Sequence, residues 1–282
     1  MKPHVINFHI TDRCNYNCKY CFAKYHMKDL PLEDAKRVID EAKSYFEKNG
    51  IQNGRVNLAG GEPLLYPHIE EIIRYIKESG LSVSMITNGS RLTPEFCIRT
   101  AGMLDMIGIS IDAATDEGNK RVGRCSAGNA PDFDTLERVT LALKACGTKL
   151  KINTVVSKLN LDEDLLSVYK RLQPDKLKLF CMHVVDNVNG DAKKLMPTRD
   201  EYLAFVEKNG ALDNCNVVIE DHESMQNAYF MINPQGEVYM NDGGTERKYG
   251  SCLKTPLPDI FKTIPLSEEN YSARYRENVK SA

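Results

Sequence analysis

Short β-branched runs alternate with helical patterns through the first two-thirds of the chain, and this alternation restricts the fold more than any other feature. Strand-like segments lie at 5–10, 55–58, 81–87, 106–111, 150–156 and 177–182, with helical patterns near 67–79, 94–103, 132–145, 162–172 and 198–208. The first helix carries the clearest signal. Leu32, Ala35, Val38, Ile39, Ala42, Tyr45 and Phe46 recur at three- and four-residue spacing before a stop at Asn49-Gly50. Strands joined by helices pair in parallel, so the expected fold is α/β, a partial (β/α)6 TIM-like barrel two units short of closure. After about residue 210 the pattern turns β-rich, with a hairpin signal at 229–240 around Asn233-Pro234-Gln235-Gly236. The expected division is a barrel at 1–210 and a C-terminal extension at 211–282 that closes the site.

Cys14, Cys18 and Cys21 stand in Thr-Asp-Arg-Cys-Asn-Tyr-Asn-Cys-Lys-Tyr-Cys-Phe. Their three-then-two spacing fits no common zinc site or disulfide framework. An iron–sulfur cubane takes one thiolate per iron, so three cysteines would leave one iron open to another ligand. Zinc would need a fourth ligand, His9 or His26, and three separate thiols would simply be small core hydrophobes. Cys97, Cys125, Cys146, Cys181, Cys215 and Cys252 are scattered singly and suit that last description. An odd cysteine count without paired spacing, and no signal-peptide pattern, point to a reducing, cytoplasmic compartment. The net charge of −2 argues against a nucleic-acid-coating surface. No apolar run approaches the roughly eighteen residues needed to cross a bilayer.

Side chains two apart on a strand share a face. Ile6, Phe8 and Ile10 should therefore meet the helices, leaving Asn7 and His9 pointing into the lumen. Lys149, Lys151 and Asn153 share a face on the fifth strand, as Lys176 and Lys178 do on the sixth. A lone Lys149 or Lys176 can snorkel to solvent. A group of Lys151, Lys176 and Lys178 on neighbouring strands calls for an anion such as a polyphosphate, because buried ammonium groups are costly.

The run Asn57-Leu58-Ala59-Gly60-Gly61-Glu62-Pro63, taken with the cysteine triad, resembles the radical S-adenosylmethionine (SAM) enzymes. Further features narrow the resemblance: Asn7-Phe8-His9-Ile10-Thr11, Asn88-Gly89-Ser90, Gly123-Arg124, Lys151-Ile152-Asn153-Thr154-Val155 and Gln173-Pro174-Asp175-Lys176-Leu177-Lys178. With these, residues 4–240 resemble the viperin family. The resemblance implies a radical SAM partial barrel holding a [4Fe-4S] cluster on Cys14, Cys18 and Cys21. SAM would lie on Gly60, Gly61, Glu62, Asn88, Ser110 and Arg124, with Ser110 near its ribose and Arg124 on its carboxylate. Asn7, Lys151, Lys176 and Lys178 would hold the triphosphate of UTP or CTP.

The implied reaction is abstraction of the ribose 4′ hydrogen by a 5′-deoxyadenosyl radical, giving the 3′-deoxy-3′,4′-didehydro nucleotide, an antiviral RNA chain terminator. Tyr229 would return a hydrogen or proton to the substrate. A flavodoxin- or ferredoxin-type electron donor is implied, with the enzyme a monomer. Animal viperins have Arg where Lys176 stands and Ser where Ala59 stands, and their membrane helix and terminal Trp have no counterpart here. Base choice is expected from 226–248, with Asn227, Asn241, Arg247 and Lys248 as edge contacts. A molybdopterin-type GTP cyclase would need a second cluster, whose close spacing Cys181, Cys215 and Cys252 lack. A non-catalytic iron–sulfur or zinc module would explain neither the glycine motif nor the lumen lysines.

Overall fold

The computed structural model describes residues 2–23 and 28–275, so His26 lies outside the described residues. Ten strands form one sheet: β1 (Val5–Thr11), β2 (Arg55–Gly60), β3 (Ser82–Thr87), β4 (Met106–Ser110), β5 (Lys149–Val156), β6 (Lys176–Cys181), β7 (Asn216–Glu220), β8 (Met231–Ile232), β9 (Glu237–Asp242) and β10 (Thr245–Ser251). Their spatial order is β10-β9-β8-β1-β2-β3-β4-β5-β6-β7. Strands β1 to β7 pair in parallel, each with the next. With β10 and β7 at its edges, the sheet does not close on itself, which is the expected partial barrel.

The helices between and after the strands are α1 (Leu32–Lys48), α2 (Ile69–Glu78), α3 (Pro94–Arg99), α4 (Asp116–Val122), α5 (Phe133–Ala145), α6 (Leu166–Leu172), α7 (Asp186–Asn189), α8 (Arg199–Asn209), α9 (Leu257–Phe261) and α10 (Glu268–Tyr275). In α1 the residues singled out by periodicity are buried from Ala35 to Phe46, and acidic Glu33 and Asp34 suit its positive N-terminal end. Strand parity sorts the two faces of β1. Ile6, Phe8 and Ile10 enter the apolar core with α1 and α2, while Asn7 and His9 line a central lumen of about 1080 Å³.

Three departures from the sequence pattern have local causes. Helix α6 begins at Leu166 rather than 162, because Asn160 folds the chain into a turn that accepts the Ser157 amide at 2.7 Å. Helix α4 was hidden by its polar composition; Thr115 caps it by accepting from the Gly118 amide, and Gly123 ends it at φ +84°. Strand β7 is five residues long and continues the parallel sheet beyond residue 210. The 229–240 hairpin forms as expected, with β8 parallel to β1 through Asn7 and Met231, and β9 antiparallel to β8. No helix among the described residues is long and apolar enough to cross a membrane.

The chain after β10 returns to the barrel wall. The Phe261 ring of α9 packs edge-on against Tyr45 of α1, with ring centroids 4.9 Å apart. In α10 the Tyr271 hydroxyl accepts from the His4 and Val5 amides at 2.9 and 3.0 Å. Replacing Tyr271 by Phe strands those donors at the start of β1. The expected cost is about 1–3 kcal/mol for each donor left without an acceptor, read in denaturant unfolding, with faster proteolytic release of the C-terminal helix.

Candidate active site

The cysteines occupy an irregular loop after β1, and two backbone seams give that loop its shape. On one side the Gly61 and Glu62 amides donate to the Thr11 and Arg13 carbonyls at 2.7 and 2.8 Å. A Cβ at Gly60 would collide with the Thr11 carbonyl oxygen, and one at Gly61 with that of Arg13; Gly60 also sits at φ +118°. On the other side the Asn17 amide donates to the Gly123 carbonyl at 3.2 Å and that of Lys19 to Val122 at 3.0 Å. The glycines therefore admit the loop's own backbone to the barrel rim.

Each of the three sulfurs receives N–H donors. The Tyr16 amide points at Cys14 Sγ at 3.4 Å, with Asn88 Nδ2 at 3.9 Å; the Ala23 amide points at Cys21 Sγ at 3.4 Å. Arg124 Nη1 reaches Cys18 Sγ at 3.6 Å. Burial pushes the Cys18 thiol up to about 12 and raises that of Cys14, so a cationic centre is what would hold these groups as thiolates. Donors trained on sulfur fit iron-bound thiolate. Among the described residues, no three His, Cys, Asp or Glu side chains gather around a single ion. His9, one candidate for a fourth zinc ligand, is buried in the lumen with Nδ1 2.5 Å from the Tyr239 hydroxyl; burial pushes it down to about 4.

The expected SAM residues surround this loop in different states. Backbone at Gly60 and Gly61 lines the lumen, as do Asn88, Ser110 and Arg124. Glu62 is fully enclosed and does not face the lumen. Its carboxylate accepts from Thr87 Oγ1 and the Asn88 amide, both at 2.7 Å, and from the Leu64 amide at 3.1 Å. Burial raises its pKa against those donors. Arg124 is also buried, with Nη1 on Asp112 Oδ2 and Nη2 on the Ser110 carbonyl, both at 2.9 Å. Its Nε is sealed from solvent without an acceptor.

The lysines face the lumen lower on the strands, where β1, β2, β5 and β6 begin. Lys149 is exposed and Lys178 buried. No group among the described residues accepts a hydrogen bond from Lys151. Burial, then the charges of Lys178, Arg55 and Lys176, hold its pKa well below the ordinary lysine value. Lys178 pairs with Glu220, yet burial together with Arg274 and Lys176 pulls it to about 7. Asn7 is held by a ladder across three strands: Asn57 Nδ2 donates to Asn7 Oδ1, and Ser84 Oγ donates to Asn57 Oδ1, each at 2.8 Å.

Four groups at this site have no signature in the pattern. Glu220 ends β7, accepts from Arg274 and from the Tyr229 hydroxyl at 2.9 Å each, and pairs with Lys178. The Arg274 guanidinium lies over the Tyr229 ring, having arrived from α10, some hundred residues along the chain from Lys178. Asp112 and Tyr20 complete the Arg124 side. Of the expected base contacts, Asn241 alone lines the lumen, beside His183, which stacks at 4.7 Å on His222. Asn227 is spent on Asp242 and the Pro265 carbonyl, Arg247 on Asp242, and Lys248 on Glu237. Their acidic neighbours in the β9–β10 hairpin hold them there.

Comparison with known proteins places this geometry in a class. Residues 8–172 match the model of the radical SAM superfamily. SuiB of Streptococcus suis, solved with S-adenosylmethionine, superposes with a TM-score of 0.67 at 16% identity, covering 96% of this chain and 68% of that one. The S-adenosylmethionine-dependent nucleotide dehydratase of Flammeovirga pacifica is 32% identical over 278 residues, 95% of this chain and 93% of the relative. That of Selenomonas ruminantium is 30% identical over 276 residues, 96% and 98% respectively. The chain belongs to the radical SAM superfamily and, within it, to the viperin-like S-adenosylmethionine-dependent nucleotide dehydratases. It is an enzyme whose cofactors are an iron–sulfur cluster and SAM.

Replacing Cys14, Cys18 or Cys21 by Ala is expected to abolish iron binding on anaerobic reconstitution. Cys97→Ala, on the buried face of α3, should retain it; equal loss would reassign the ligands. Gly123→Ala should also lose iron, though no ligand changes. Its left-handed φ costs about 1–3 kcal/mol, and the new Cβ collides with the Asn17 carbonyl.

Proposed function

We propose that this enzyme dehydrates a nucleoside triphosphate, UTP or CTP, to the 3′-deoxy-3′,4′-didehydro nucleotide, an antiviral terminator of RNA synthesis. The observation that carries this reading is the lumen charge. Lys151, Lys176, Lys178, Arg55 and Arg274 converge on a space in which Glu220 pairs with Lys178 and Arg274. A bound triphosphate would restore the balance and raise the depressed lysine pKa values. When bound, the cluster and SAM supply the one-electron chemistry that removes a hydrogen atom from substrate carbon.

The chain's own residues do the rest. Asn7, Lys151, Lys176 and Lys178 hold the phosphates low in the lumen, so the ribose lies between them and the cysteine loop with its 4′ hydrogen towards the SAM residues. Gly60, Gly61, Asn88 and Ser110 form the walls against which SAM rests, and Glu62 braces that wall from behind. Holding reactants in near-attack geometry accounts for most of such a protein's contribution. After the 4′ hydrogen atom is lost, the 3′-hydroxyl leaves as water on taking a proton from Tyr229, which is tied to Glu220, and one electron from the donor protein reduces the remaining radical to the 3′,4′-alkene. The segment 211–282 closes the site by bringing Glu220, Tyr229, Asn241 and Arg274 to it. Asn241 reads the base edge. A flavodoxin- or ferredoxin-type protein delivers electrons to a soluble, cytoplasmic, monomeric enzyme.

Anaerobically reconstituted enzyme with reductant and SAM should form 5′-deoxyadenosine faster when a nucleoside triphosphate is present. No stimulation by any of the four would overturn the reading. Competing CTP, UTP, GTP and ATP at equal concentration should favour a pyrimidine, with kcat/KM ratios up to about 10⁴ where a buried edge is read by hydrogen bonds. A preference for GTP would overturn the pyrimidine assignment.

The lysines also set a pH dependence. Lys178 at about 7 in the free enzyme, against an ordinary 10.5, is largely neutral above pH 7, whereas the bound anion favours its charged form. KM for the triphosphate should therefore rise as pH climbs from about 7, with net proton uptake on binding. The free protein should behave oppositely. Its unfolded state binds more protons between about 7 and 10.5, so stability rises with pH across that window.

A further inference from the structure

Among the described residues, Arg124 is the one cation that touches a cysteine sulfur at this site, and the remainder of its hydrogen bonding explains why. Its Nη1 is shared between Cys18 Sγ at 3.6 Å and Asp112 Oδ2 at 2.9 Å, and its Nη2 is on the Ser110 carbonyl at 2.9 Å. Asp112 has no exposed surface. Besides Arg124, its Oδ2 accepts from the Tyr20 hydroxyl at 2.5 Å, and its Oδ1 from the Val155 amide at 2.7 Å. The Asn160 side chain donates to the Asp112 carbonyl at 2.8 Å, so the residue is fixed by both backbone and side chain. The guanidinium also lies 5.7 Å over the Tyr16 ring. A clamp on an incoming carboxylate needs two parallel N–H groups facing the ligand. Here Nη1 is committed, Nη2 is partly committed, and Nε is sealed in.

We propose that Arg124 is a positioning residue that tunes the cluster through Cys18, and that Asp112 and Tyr20 set how much of its charge the cluster feels. This rests on the assignment of Cys18 as a cluster ligand. Hydrogen bonds and positive charge at a ligating sulfur stabilise the more negative, reduced state, and so raise the reduction potential. Asp112 offsets part of that effect. The two residues therefore act with opposite sign, which a purely structural role for either would not produce.

The test is the midpoint potential of the reconstituted cluster, followed by EPR during anaerobic redox titration without SAM, alongside the dissociation constant for SAM on the oxidised protein. Arg124→Met should shift the midpoint to more negative values and Asp112→Asn to more positive ones. Arg124→Lys, which keeps the charge but loses the planar fork, should fall between wild type and Arg124→Met. Tyr20→Phe removes one donor from the Asp112 carboxylate with little change of volume, strengthening the offset, and should move the midpoint negative by less than Arg124→Met; it covers the case in which a change at Asp112 prevents folding. Unchanged potentials in folded, iron-loaded variants would overturn the proposal. So would an unshifted potential with SAM affinity reduced tenfold or more in Arg124→Met, which would return Arg124 to the SAM carboxylate. Wild-type protein that takes up no iron or sulfide would instead defeat the cluster assignment itself.

Discussion

From Asp12 to Ala23 the cysteine loop contains no regular secondary structure, so the placement of its sulfurs depends on the two backbone seams that clasp it. One seam is made by Gly61 and Glu62 at the end of β2, the other by Val122 and Gly123 at the end of α4. A Cβ at Gly61 would strike the Arg13 carbonyl oxygen and one at Gly123 that of Asn17, and Gly123, like Gly60 beside the first seam, is at positive φ. A peptide carbonyl cannot swing aside as the tip of a flexible side chain does, so these glycines are required by close approach. The Gly-Gly-Glu motif accordingly has a structural meaning besides any ligand contact. Its two glycines let β2 meet the loop, and Glu62 then ties the junction to β3 through Thr87 and Asn88.

Away from the loop, the lumen is arranged against electrostatic comfort. Removing one partner from a buried ion pair is strongly destabilising, and Glu220 here serves Lys178 and Arg274 together while Lys151 stands nearby without a hydrogen bond. A further carboxylate beside Lys151 would stabilise the free protein, but would compete with the proposed anionic ligand for the same cations. The uncompensated charge is thus better understood as binding capacity held in reserve than as a packing fault.

Much of this was legible in the chain because strand parity is a strict period of two. Asn7, Lys151, Lys176 and Lys178 could be assigned to the lumen from the apolar residues alternating with them, and the cysteine spacing marked the loop. Glu220 and Arg274 could not be found that way. Each is a single charged residue in a short element, β7 or α10, and becomes a site residue only when the chain ends are brought over β5 and β6. Asp112 was hidden for a related reason: it follows β4, where an acidic residue ordinarily reads as solvated turn. Asn227, Arg247 and Lys248 lie in the expected base segment, yet Asp242 and Glu237 of the β9–β10 hairpin engage them, so a polar side chain there does not by itself mark a base contact.

Strand β5 connects the two halves of the site. Lys151, Asn153 and Val155 lie on one face; Lys151 sits among the cations at the start of the strand, and the Val155 amide donates to Asp112, which holds Arg124 against Cys18. Four residues at about 3.3 Å rise separate these positions by roughly 13 Å, a distance fixed by backbone geometry and independent of side-chain flexibility. The β4–β5 register, with Gly108 opposite Lys151 and Ser110 opposite Asn153, sets it from the neighbouring strand as well. A one-residue slip would turn Lys151 outwards and remove the Val155 amide from Asp112 together. The lumen lysine and the Arg124–Cys18 contact are therefore specified by the same hydrogen-bond ladder, so a rigid parallel strand fixes the distance between the two ends of the proposed site.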